Sequence, residues 1–331
     1  MDLNCGVWEG IWMGSPPKKA LFLILIFLIL ISYSFYTSKK LKAFTTVKNI
    51  PAKEVPPNPM YPYLIEEDQK CASGPPFLLL LIPSIPQENL NRDTLRKTWA
   101  NETLVNGVNT TRLFLLGRSS SQEIQEKVML ESSNFHDIIQ QDFIDSYNNL
   151  TLKTLMGIEW VSRLCPNVSY VMKIDSDMFL NPWFLMDKVL LPSSPVNVNF
   201  YTGLVVDSAS PQRDKSSKWY MPLSQYSKDV YPSYCSGTSY IFSGDLAGRI
   251  YKKAHDINIF PFEDVFVGMC LQSIGIQISK PAGNWFLGEK MKYDRCQFAS
   301  LVTVHHFTPQ ELLELWPDFT SPLETCNKQG A

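Results

Sequence analysis

Histidine is scarce in this chain, and so is excess charge of either sign. The 331 residues include only 4 histidines, and 30 Lys and Arg stand against 32 Asp and Glu, for a formal net charge of −2. Without a basic excess a nucleic-acid partner is not expected, because phosphate binding needs clustered cations. The sequence also lacks a His cluster, which argues against a metal-dependent hydrolase with a two-metal site.

Apolar and aromatic residues, in contrast, are plentiful. Hydrophobic residues make up 45% of the chain, with 19 Phe, 14 Tyr and 8 Trp, which argues against broad disorder. The length suffices for one large core domain or two small ones. Neither an internal repeat nor a low-complexity block is found in the sequence.

One segment is apolar enough to be a membrane anchor. Residues 20–36 carry no charge, and lysine pairs at 18–19 and 39–40 flank them. The segment is at the short end of what a bilayer needs. A cleaved signal peptide is the competing interpretation, but Ser32-Tyr33-Ser34 makes a poor cleavage site. We therefore predict a cytoplasmic tail over residues 1–19 and an uncleaved signal-anchor over residues 20–36.

The orientation of this anchor follows from glycosylation sequons. Lysines flank both ends, so the positive-inside rule does not decide the orientation. Four sequons follow within residues 101–169, and this density favours exposure to the secretory lumen. Their acceptor residues are Asn101, Asn109, Asn149 and Asn167. A single-pass type II membrane protein with a lumenal domain is predicted.

Cysteine usage agrees with an oxidising compartment. Six of the seven cysteines follow the apolar segment: Cys71, Cys165, Cys235, Cys270, Cys296 and Cys326. Six cysteines permit complete disulfide pairing, in several connectivities among which the sequence does not choose. Several buried free thiols are the alternative.

The rest of the chain divides into a stem and an α/β domain. Residues 37–75 are rich in Lys and Pro, which predicts an extended, weakly packed stem. In the domain, residues 76–331, strands alternate with helices, which implies parallel βαβ units and ligands bound beyond the carboxyl ends of the strands. The predicted strands are 77–82, 112–117, 137–140 and 170–174, and the predicted helices are 91–100, 122–132 and 150–164.

The most informative stretch is the end of the last of these strands. An apolar run leads directly into Asp175-Ser176-Asp177. Carboxylates suit Mg²⁺ or Mn²⁺, and such an ion shares its remaining positions with substrate phosphates. A surface turn is the ordinary alternative for an isolated Asp-x-Asp.

Seven blocks of residues in one order resemble the β-1,3-galactosyltransferase family, the inverting type II membrane enzymes of the Golgi. The blocks are residues 92–99, 114–117, 142–154, 173–179, 231–237, 263–268 and 305–309. Seven ordered blocks are far more specific than one. The resemblance implies a GT-A-like sheet with flanking helices, located in the lumen at the Golgi membrane. It implies transfer of galactose from UDP-galactose, in β-1,3 linkage, to a GlcNAc- or GalNAc-ended glycan of a glycoprotein or glycolipid.

The resemblance also implies roles for the residues of the cation site. Asp177 and His305 are implied to hold Mn²⁺ or another divalent cation, with Asp175 as a second ligand or a donor contact. His306 is the alternative to His305, and strand alternation is expected to point the two rings to opposite faces.

Catalytic roles follow from the resemblance as well. Asp264 is implied to be the general base of the inverting reaction. Glu263 is implied to place Asp264 or to bind the acceptor. A helix cap is the ordinary alternative for an acid at this position.

Substrate contacts complete the predicted site. Arg92, Arg96, Asp145 and Lys153 are donor-side candidates, with salt bridges or helix capping as the alternatives. Trp219 and Tyr220, in a polar loop, are acceptor-binding candidates because aromatic rings stack on the apolar faces of sugars.

Two positions depart from the family pattern. Ser239 stands where the family usually has Gly, a residue that permits positive φ or close backbone approach. Ser176 stands where the related N-acetylglucosaminyltransferases usually carry Asp, which favours UDP-galactose over UDP-GlcNAc. A β-1,3-N-acetylglucosaminyltransferase stays open, as does a non-catalytic lumenal lectin or chaperone-like member, and so do homo- or hetero-oligomers.

Overall fold

The computed structural model describes residues 60–191 and 195–322. The predicted tail, the predicted anchor and residues 37–59 of the predicted stem lie outside the described residues. Among the residues that are described, no helix has the length and apolar character needed to span a bilayer.

Ten strands occur in the described residues. They are β1 (Tyr63–Ile65), β2 (Leu78–Pro83), β3 (Thr110–Arg118), β4 (Ile138–Ile144), β5 (Tyr170–Ile174), β6 (Phe179–Leu180), β7 (Tyr201–Val206), β8 (Tyr234–Ser243), β9 (Phe286–Leu287) and β10 (Thr303–Val304).

Helices connect and cover these strands. They are α1 (Asn89–Lys97), α2 (Gln122–Phe135), α3 (Leu150–Leu164), α4 (Pro182–Phe184), α5 (Ala247–Ala254), α6 (Glu263–Ser273), α7 (Arg295–Phe298) and α8 (Pro309–Thr320). A π-helical segment, Leu185–Leu190, continues α4.

The strands form two sheets. The larger sheet has the order β1-β4-β3-β2-β5-β8-β7, and the smaller has the order β6-β10-β9. Strands β2 to β5 are mutually parallel where they pair, as the alternation predicts, whereas β1, β7 and β8 pair antiparallel. All six residues of the central strand β2 are buried, because helices or loops cover both faces of a parallel sheet. The mixed α/β class is confirmed.

The packed domain begins earlier than residue 76. Within the predicted stem, β1 pairs with β4, and the Tyr63 hydroxyl donates a hydrogen bond to the Met156 carbonyl oxygen at 3.1 Å. Cys71 is bonded to Cys165 at the end of α3. Residues 63–71 are therefore not weakly packed. The Pro-rich composition of the segment gives no sign of their strand pairing or their disulfide bond.

Complete disulfide pairing is wrong for two of the six cysteines. Besides the Cys71–Cys165 bond, Cys296 is disulfide-bonded, but Cys235 and Cys270 are buried free thiols. They lie on β8 and α6, inside the main core. Burial raises the pKa of both thiols to about 12, so they remain protonated and behave as small apolar residues.

Removing the Cys71–Cys165 bond is expected to destabilise the domain. The bond joins residues 94 apart in sequence, and such a cross-link restricts the unfolded chain. Changing both residues to alanine should lower the free energy of unfolding by about 2–4 kcal/mol. Urea unfolding measures this, with Cys270→Ala as a control that removes a thiol but no cross-link. An unchanged unfolding midpoint in the double variant would contradict the expectation.

Candidate active site

A cavity of about 770 Å³ brings together residues that are distant in sequence. It lies where β5 ends, as predicted for an α/β sheet. Its wall combines the turn after β5, the first half of β8, the first turn of α6 and the residues after β10. Among the predicted site residues, those in the wall are Asp175, Asp177, Trp219, Glu263, Asp264 and His305.

Asp177 and His305 face each other in this cavity. The Oδ2 atom of Asp177 lies 3.2 Å from Nε2 of His305. The other ring nitrogen of His305, Nδ1, donates to the Gly288 carbonyl oxygen at 3.1 Å, because a carbonyl can only accept. This contact orients the ring with Nε2 towards Asp177, the arrangement usual for metal-binding histidines.

His306 does not point away from His305, so the expectation of opposite faces is wrong. Strand β10 ends at Val304, and His306 has a left-handed backbone with φ of 66°. The two imidazole rings consequently stack with centroids 3.7 Å apart. Nδ1 of His306 lies 3.9 Å from Oδ2 of Asp177.

Asp177, His305 and His306 thus form a group of ligand atoms that lie within 4.8 Å of one another. A carboxylate and two imidazoles are a donor set that fits a divalent metal ion. His305 also holds the pKa of Asp177 below its usual value although burial acts in the opposite direction. The group is therefore the candidate metal site.

Asp175 takes a different position from the one implied for a second ligand. Its Oδ1 atom lies 2.6 Å from Nζ of Lys173, and among the described residues it is not part of the metal-site group. Nζ of Lys173 also lies 2.9 Å from Oε1 of Glu263 and donates to the Gly237 carbonyl oxygen. Burial lowers the pKa of Lys173, but the two carboxylates outweigh burial and raise it. Lys173 is therefore a buried cation that joins β5, β8 and α6.

Asp264 is held at the start of α6 by backbone groups. Its Oδ2 atom accepts from the Gly237 N–H at 3.0 Å, and its Oδ1 atom accepts from the Val265 N–H at 2.8 Å. Burial raises the pKa of this carboxyl above its usual value although these N–H groups lower it. The carboxylate retains lone pairs that face the cavity and can accept a proton.

The side chain of Glu263, next to Asp264, is held by Tyr240 and Lys173. The Tyr240 hydroxyl donates to Oε2 of Glu263 at 2.8 Å, and Lys173 is near the other oxygen. A Cβ at Gly237 would lie 2.8 Å from Oε1 of Glu263, so a larger residue there would displace the Glu263 carboxylate. Glu263 thus pairs with Lys173 and lies beside Gly237, whose N–H holds Asp264, which fits a role in placing Asp264.

The structure does not bring Arg92 and Arg96 to the cavity. Both are buried. Nη2 of Arg92 lies 2.6 Å from Glu131, and Arg96 pairs with both Glu131 and Asp137 at 2.8 Å. In these positions they stabilise the packing of α1 on α2 and β4. A donor-binding role for either arginine stays a prediction without support from these contacts.

Lys153 and Asp145 are likewise outside the cavity wall that the described residues form. Nζ of Lys153 lies 2.9 Å from Asp145 and donates to the Ser84 carbonyl oxygen at 2.6 Å. Asp145 also accepts from the Gly117 N–H at 2.7 Å. The pair connects the ends of β2, β3 and β4, and its donor-side role stays a prediction.

Of the two acceptor-binding candidates, Trp219 lines the cavity and Tyr220 does not. The Trp219 side chain is 53% exposed, and Nζ of Lys218 lies 4.5 Å from its ring centroid. An exposed indole at a cavity rim is available for stacking on a sugar ring.

Replacing Trp219 with alanine is expected to raise the KM for the acceptor by about 3- to 10-fold, the equivalent of one aromatic contact. The KM for the sugar nucleotide should change little, because the other cavity residues stay in place. Initial rates at varied acceptor concentration measure this. Tyr220→Ala is the matched control, and equal effects of the two substitutions would contradict the assignment.

The four sequon asparagines are accessible to different extents. Asn109 and Asn167 are exposed, and Asn101 and Asn149 are half-buried. Their glycosylation stays a prediction.

Ser239 is accommodated where the family usually has Gly. It pairs with Ile174 in extended β8, and its hydroxyl lies 3.1 Å from the Thr303 hydroxyl of the smaller sheet. The close approach occurs instead at Gly203 of β7, where a Cβ would lie 2.8 Å from the Ser239 carbonyl oxygen.

Sequence reasoning assigned no role to several other cavity residues. They include Tyr147, Lys173, Gln212, Lys218, Tyr231, Tyr234 and Glu289. For Lys173 a signal existed. A lysine in the buried strand β5, two residues before Asp175, points to the same face as that acid.

Sequence comparisons place the chain among known proteins. Residues 90–282, more than half of the chain, match the galactosyltransferase family. The chain belongs to the galactosyltransferase family. Two relatives show how much of the chain aligns with a known galactosyltransferase. Beta-1,3-galactosyltransferase 2 of Homo sapiens is 44% identical over 259 residues, which are 77% of this chain and 61% of that protein. Beta-1,3-galactosyltransferase 1 of Mus musculus is 42% identical over 294 residues, which are 87% of this chain and 89% of that protein.

This galactosyltransferase-family chain thus spans about three fifths of the first relative and nearly nine tenths of the second. A solved structure, the galactosyltransferase LgtC with donor and acceptor sugar analogs, is 9% identical with a TM-score of 0.37. It aligns with 74% of this chain and 98% of its own. A likeness at that level carries no conclusion about this chain.

Proposed function

We propose that this chain transfers galactose from UDP-galactose to a hydroxyl of a GlcNAc- or GalNAc-ended glycan and forms a β-1,3 bond with inversion. The observation that carries the proposal is one cavity that contains both a held carboxylate, Asp264, and a metal-ligand group around Asp177. The names of the relatives support the same reaction. On this proposal the domain is GT-A-like, and residues 20–36 anchor it in the Golgi membrane with the domain in the lumen.

In the proposed reaction Asp264 accepts the proton of the acceptor hydroxyl. The acceptor oxygen forms a bond to C1 of galactose, and the bond from C1 to the diphosphate oxygen breaks, so that UDP leaves with the electron pair. Removing the proton during attack raises the nucleophilicity of the oxygen. The N–H groups of Gly237 and Val265 keep the carboxylate in one orientation.

Asp177 and His305 would hold the divalent cation, Mn²⁺ in the simplest case, and His306 lies beside them. Such an ion would neutralise charge that develops on the leaving diphosphate. Lys173 adds a fixed positive charge beside Asp175. Asp175, in the cavity wall, is then free to accept a hydrogen bond from the donor sugar or ribose.

UDP release by the full-length chain in detergent tests this proposal. UDP-Gal, UDP-GlcNAc and UDP-GalNAc are each offered with GlcNAc- and GalNAc-capped acceptors, with Mn²⁺ or with chelator. We expect turnover of UDP-Gal alone, dependent on both acceptor and Mn²⁺, and loss of that turnover in Asp177→Asn. Preference for UDP-GlcNAc would overturn the argument from Ser176 and favour the N-acetylglucosaminyltransferase. No release by a folded chain that binds UDP would favour the non-catalytic member.

A further inference from the structure

We propose that Arg213 is a positioning residue that holds one long loop in the shape that binds the acceptor glycan. The inference rests on the proposed function and adds a residue to the acceptor side of the same cavity. The loop, residues 207–233, connects β7 to β8 without forming a helix or strand, and we call it the acceptor loop. Loops longer than about 15 residues in compact domains usually carry function. Six residues of the acceptor loop line the cavity: Ala209, Ser210, Gln212, Lys218, Trp219 and Tyr231.

Arg213 holds the acceptor loop by its backbone. Nη1 donates to the Met221 carbonyl oxygen at 2.6 Å, and Nη2 donates to the carbonyl oxygens of Tyr226 and Lys228 at 2.9 Å each. One guanidinium thus joins the outgoing half of the loop to three points of its returning half. Arg213 is not part of the cavity wall that the described residues form. It can therefore act on an acceptor only through the residues that it holds.

One of these contacts fixes the backbone next to Trp219. Met221 follows Trp219 by two residues, its side chain is buried in the main core, and its N–H donates to the Gln212 carbonyl oxygen at 2.8 Å. Trp219 itself is exposed, so core packing does not fix its ring. The direction of the indole therefore depends largely on the backbone, which the bond from Arg213 to the Met221 carbonyl oxygen holds.

Another contact reaches the part of the acceptor loop near Asp264. The ring of Tyr226, whose carbonyl oxygen Arg213 holds, packs against the Tyr231 ring with centroids 4.8 Å apart. The Tyr231 N–H also donates to the Ala209 carbonyl oxygen at 2.9 Å. Burial raises the pKa of Tyr231 to about 12, Arg213 lowers this pKa, and Asp264 adds to the rise. The acceptor loop therefore meets the cavity on the side of the proposed base, where the acceptor hydroxyl must lie.

Loss of the three hydrogen bonds should release both aromatic residues of the acceptor loop together. The candidate metal site should be unaffected, because Asp177, His305 and His306 come from the turn after β5 and the residues after β10. The inference thus predicts a split between the two substrates, with weaker binding of the acceptor and nearly unchanged binding of the sugar nucleotide. A residue that only stabilised the fold would not produce this split.

Initial rates and glycan binding by the full-length chain in detergent test the split. The compared proteins are wild type, Arg213→Gln, Arg213→Lys and Arg249→Gln. Arg249 is the matched control, because it is a half-buried arginine of α5 that also donates to a backbone carbonyl oxygen, that of Ile274, and is outside the cavity wall that the described residues form. Rates are measured at varied GlcNAc- or GalNAc-capped acceptor and at varied UDP-Gal, with Mn²⁺. Calorimetry measures binding of the same acceptors in the presence of UDP and Mn²⁺, without turnover. Thermal unfolding shows whether each variant is folded.

We expect Arg213→Gln to raise the KM and the Kd for the acceptor about 10- to 100-fold, the scale on which a misplaced binding group acts. This rise should exceed that of Trp219→Ala, because two aromatic residues move instead of one. The KM for UDP-Gal should stay near that of wild type, and Arg249→Gln should resemble wild type in every constant. Arg213→Lys keeps the charge but not the planar fork, so it should show a smaller rise for the acceptor alone. It decides the outcome if Arg213→Gln does not fold.

Four results would overturn the inference. They are absence of acceptor binding by wild type, an unchanged acceptor KM and Kd in a folded Arg213 variant, an equal rise in the KM for UDP-Gal, and the same acceptor effect in Arg249→Gln. Acceptor binding that weakens in Arg213→Gln of a chain without transferase activity would retain the inference and overturn only the proposed function.

Discussion

Replacing Asp264 with asparagine is expected to lower kcat about 10²- to 10⁴-fold, the range that general-base catalysis contributes. An amide cannot accept the proton of the acceptor hydroxyl. Asparagine has nearly the same shape, so the domain should fold, although its NH₂ group accepts no hydrogen bond and one of the Gly237 and Val265 N–H groups loses its acceptor. Binding of UDP should persist, because the metal-site group around Asp177 is untouched. Transfer rates and UDP binding, measured on the same preparation, test both parts.

The pH dependence of the wild type provides a check that does not depend on folding of a variant. A base is active when it is deprotonated, so activity is lost as pH falls through its pKa. Burial raises the pKa of Asp264, and the acidic limb of kcat/KM should therefore lie above the range in which an exposed aspartate titrates. Glu263→Gln is the control, since it removes the neighbouring acid but keeps the base. The acidic limb of kcat/KM should therefore remain in this variant. Substantial activity in folded Asp264→Asn would contradict the role of Asp264.

Replacing Lys173 with methionine is expected to lower the free energy of unfolding by about 3–5 kcal/mol, because it leaves the buried acid Glu263 without its cation. The Lys173 side chain is 3% exposed and Glu263 is 5% exposed. Asp175 is 33% exposed and contributes less, since water screens its charge. Methionine fills a similar volume, so the loss reflects charge rather than a cavity. Urea unfolding measures the change.

Two comparisons separate this charge effect from general damage. The double variant Lys173→Met with Glu263→Gln removes both charges of the buried pair and should recover part of the lost stability. Lys127→Met removes a lysine from an exposed pair on α2 and should leave the midpoint unchanged. A Lys173→Met midpoint equal to that of Lys127→Met would show that the buried pair contributes nothing to stability.

The first half of the fold could be predicted because its signals are local. Strand β5 and helix α3 have the predicted bounds, since one is an uninterrupted apolar run and the other has apolar residues at helical spacing. The second half could not be predicted in this way. Strand β8 mixes Ser and Gly with aromatic residues, and β9 and β10 are two residues long. Antiparallel pairing across long loops leaves little periodic signal.

Some residues of the candidate site could likewise be predicted from the sequence, and others could not. The acids at 175, 177, 263 and 264 and the histidine at 305 could be recognised from ordered motifs, and the structure brings them to one cavity. The orientation of His306 could not be predicted, because it depends on one left-handed backbone angle. The place of Arg92 could not be predicted either. Whether an arginine contacts phosphate or an acid such as Glu131 depends on packing between helices that are distant in sequence.

The central claim is that Asp264 deprotonates an acceptor hydroxyl for direct attack on galactose. The most direct test is to determine the configuration and linkage of the product by NMR after incubation of the full-length chain with UDP-Gal, Mn²⁺ and a GlcNAc-capped acceptor. One attack on the α-linked donor predicts a β-linked galactose on O3, and at least about a hundredfold less product from Asp264→Asn in the same time. An α-linked galactose, or equal product from the variant, would contradict it.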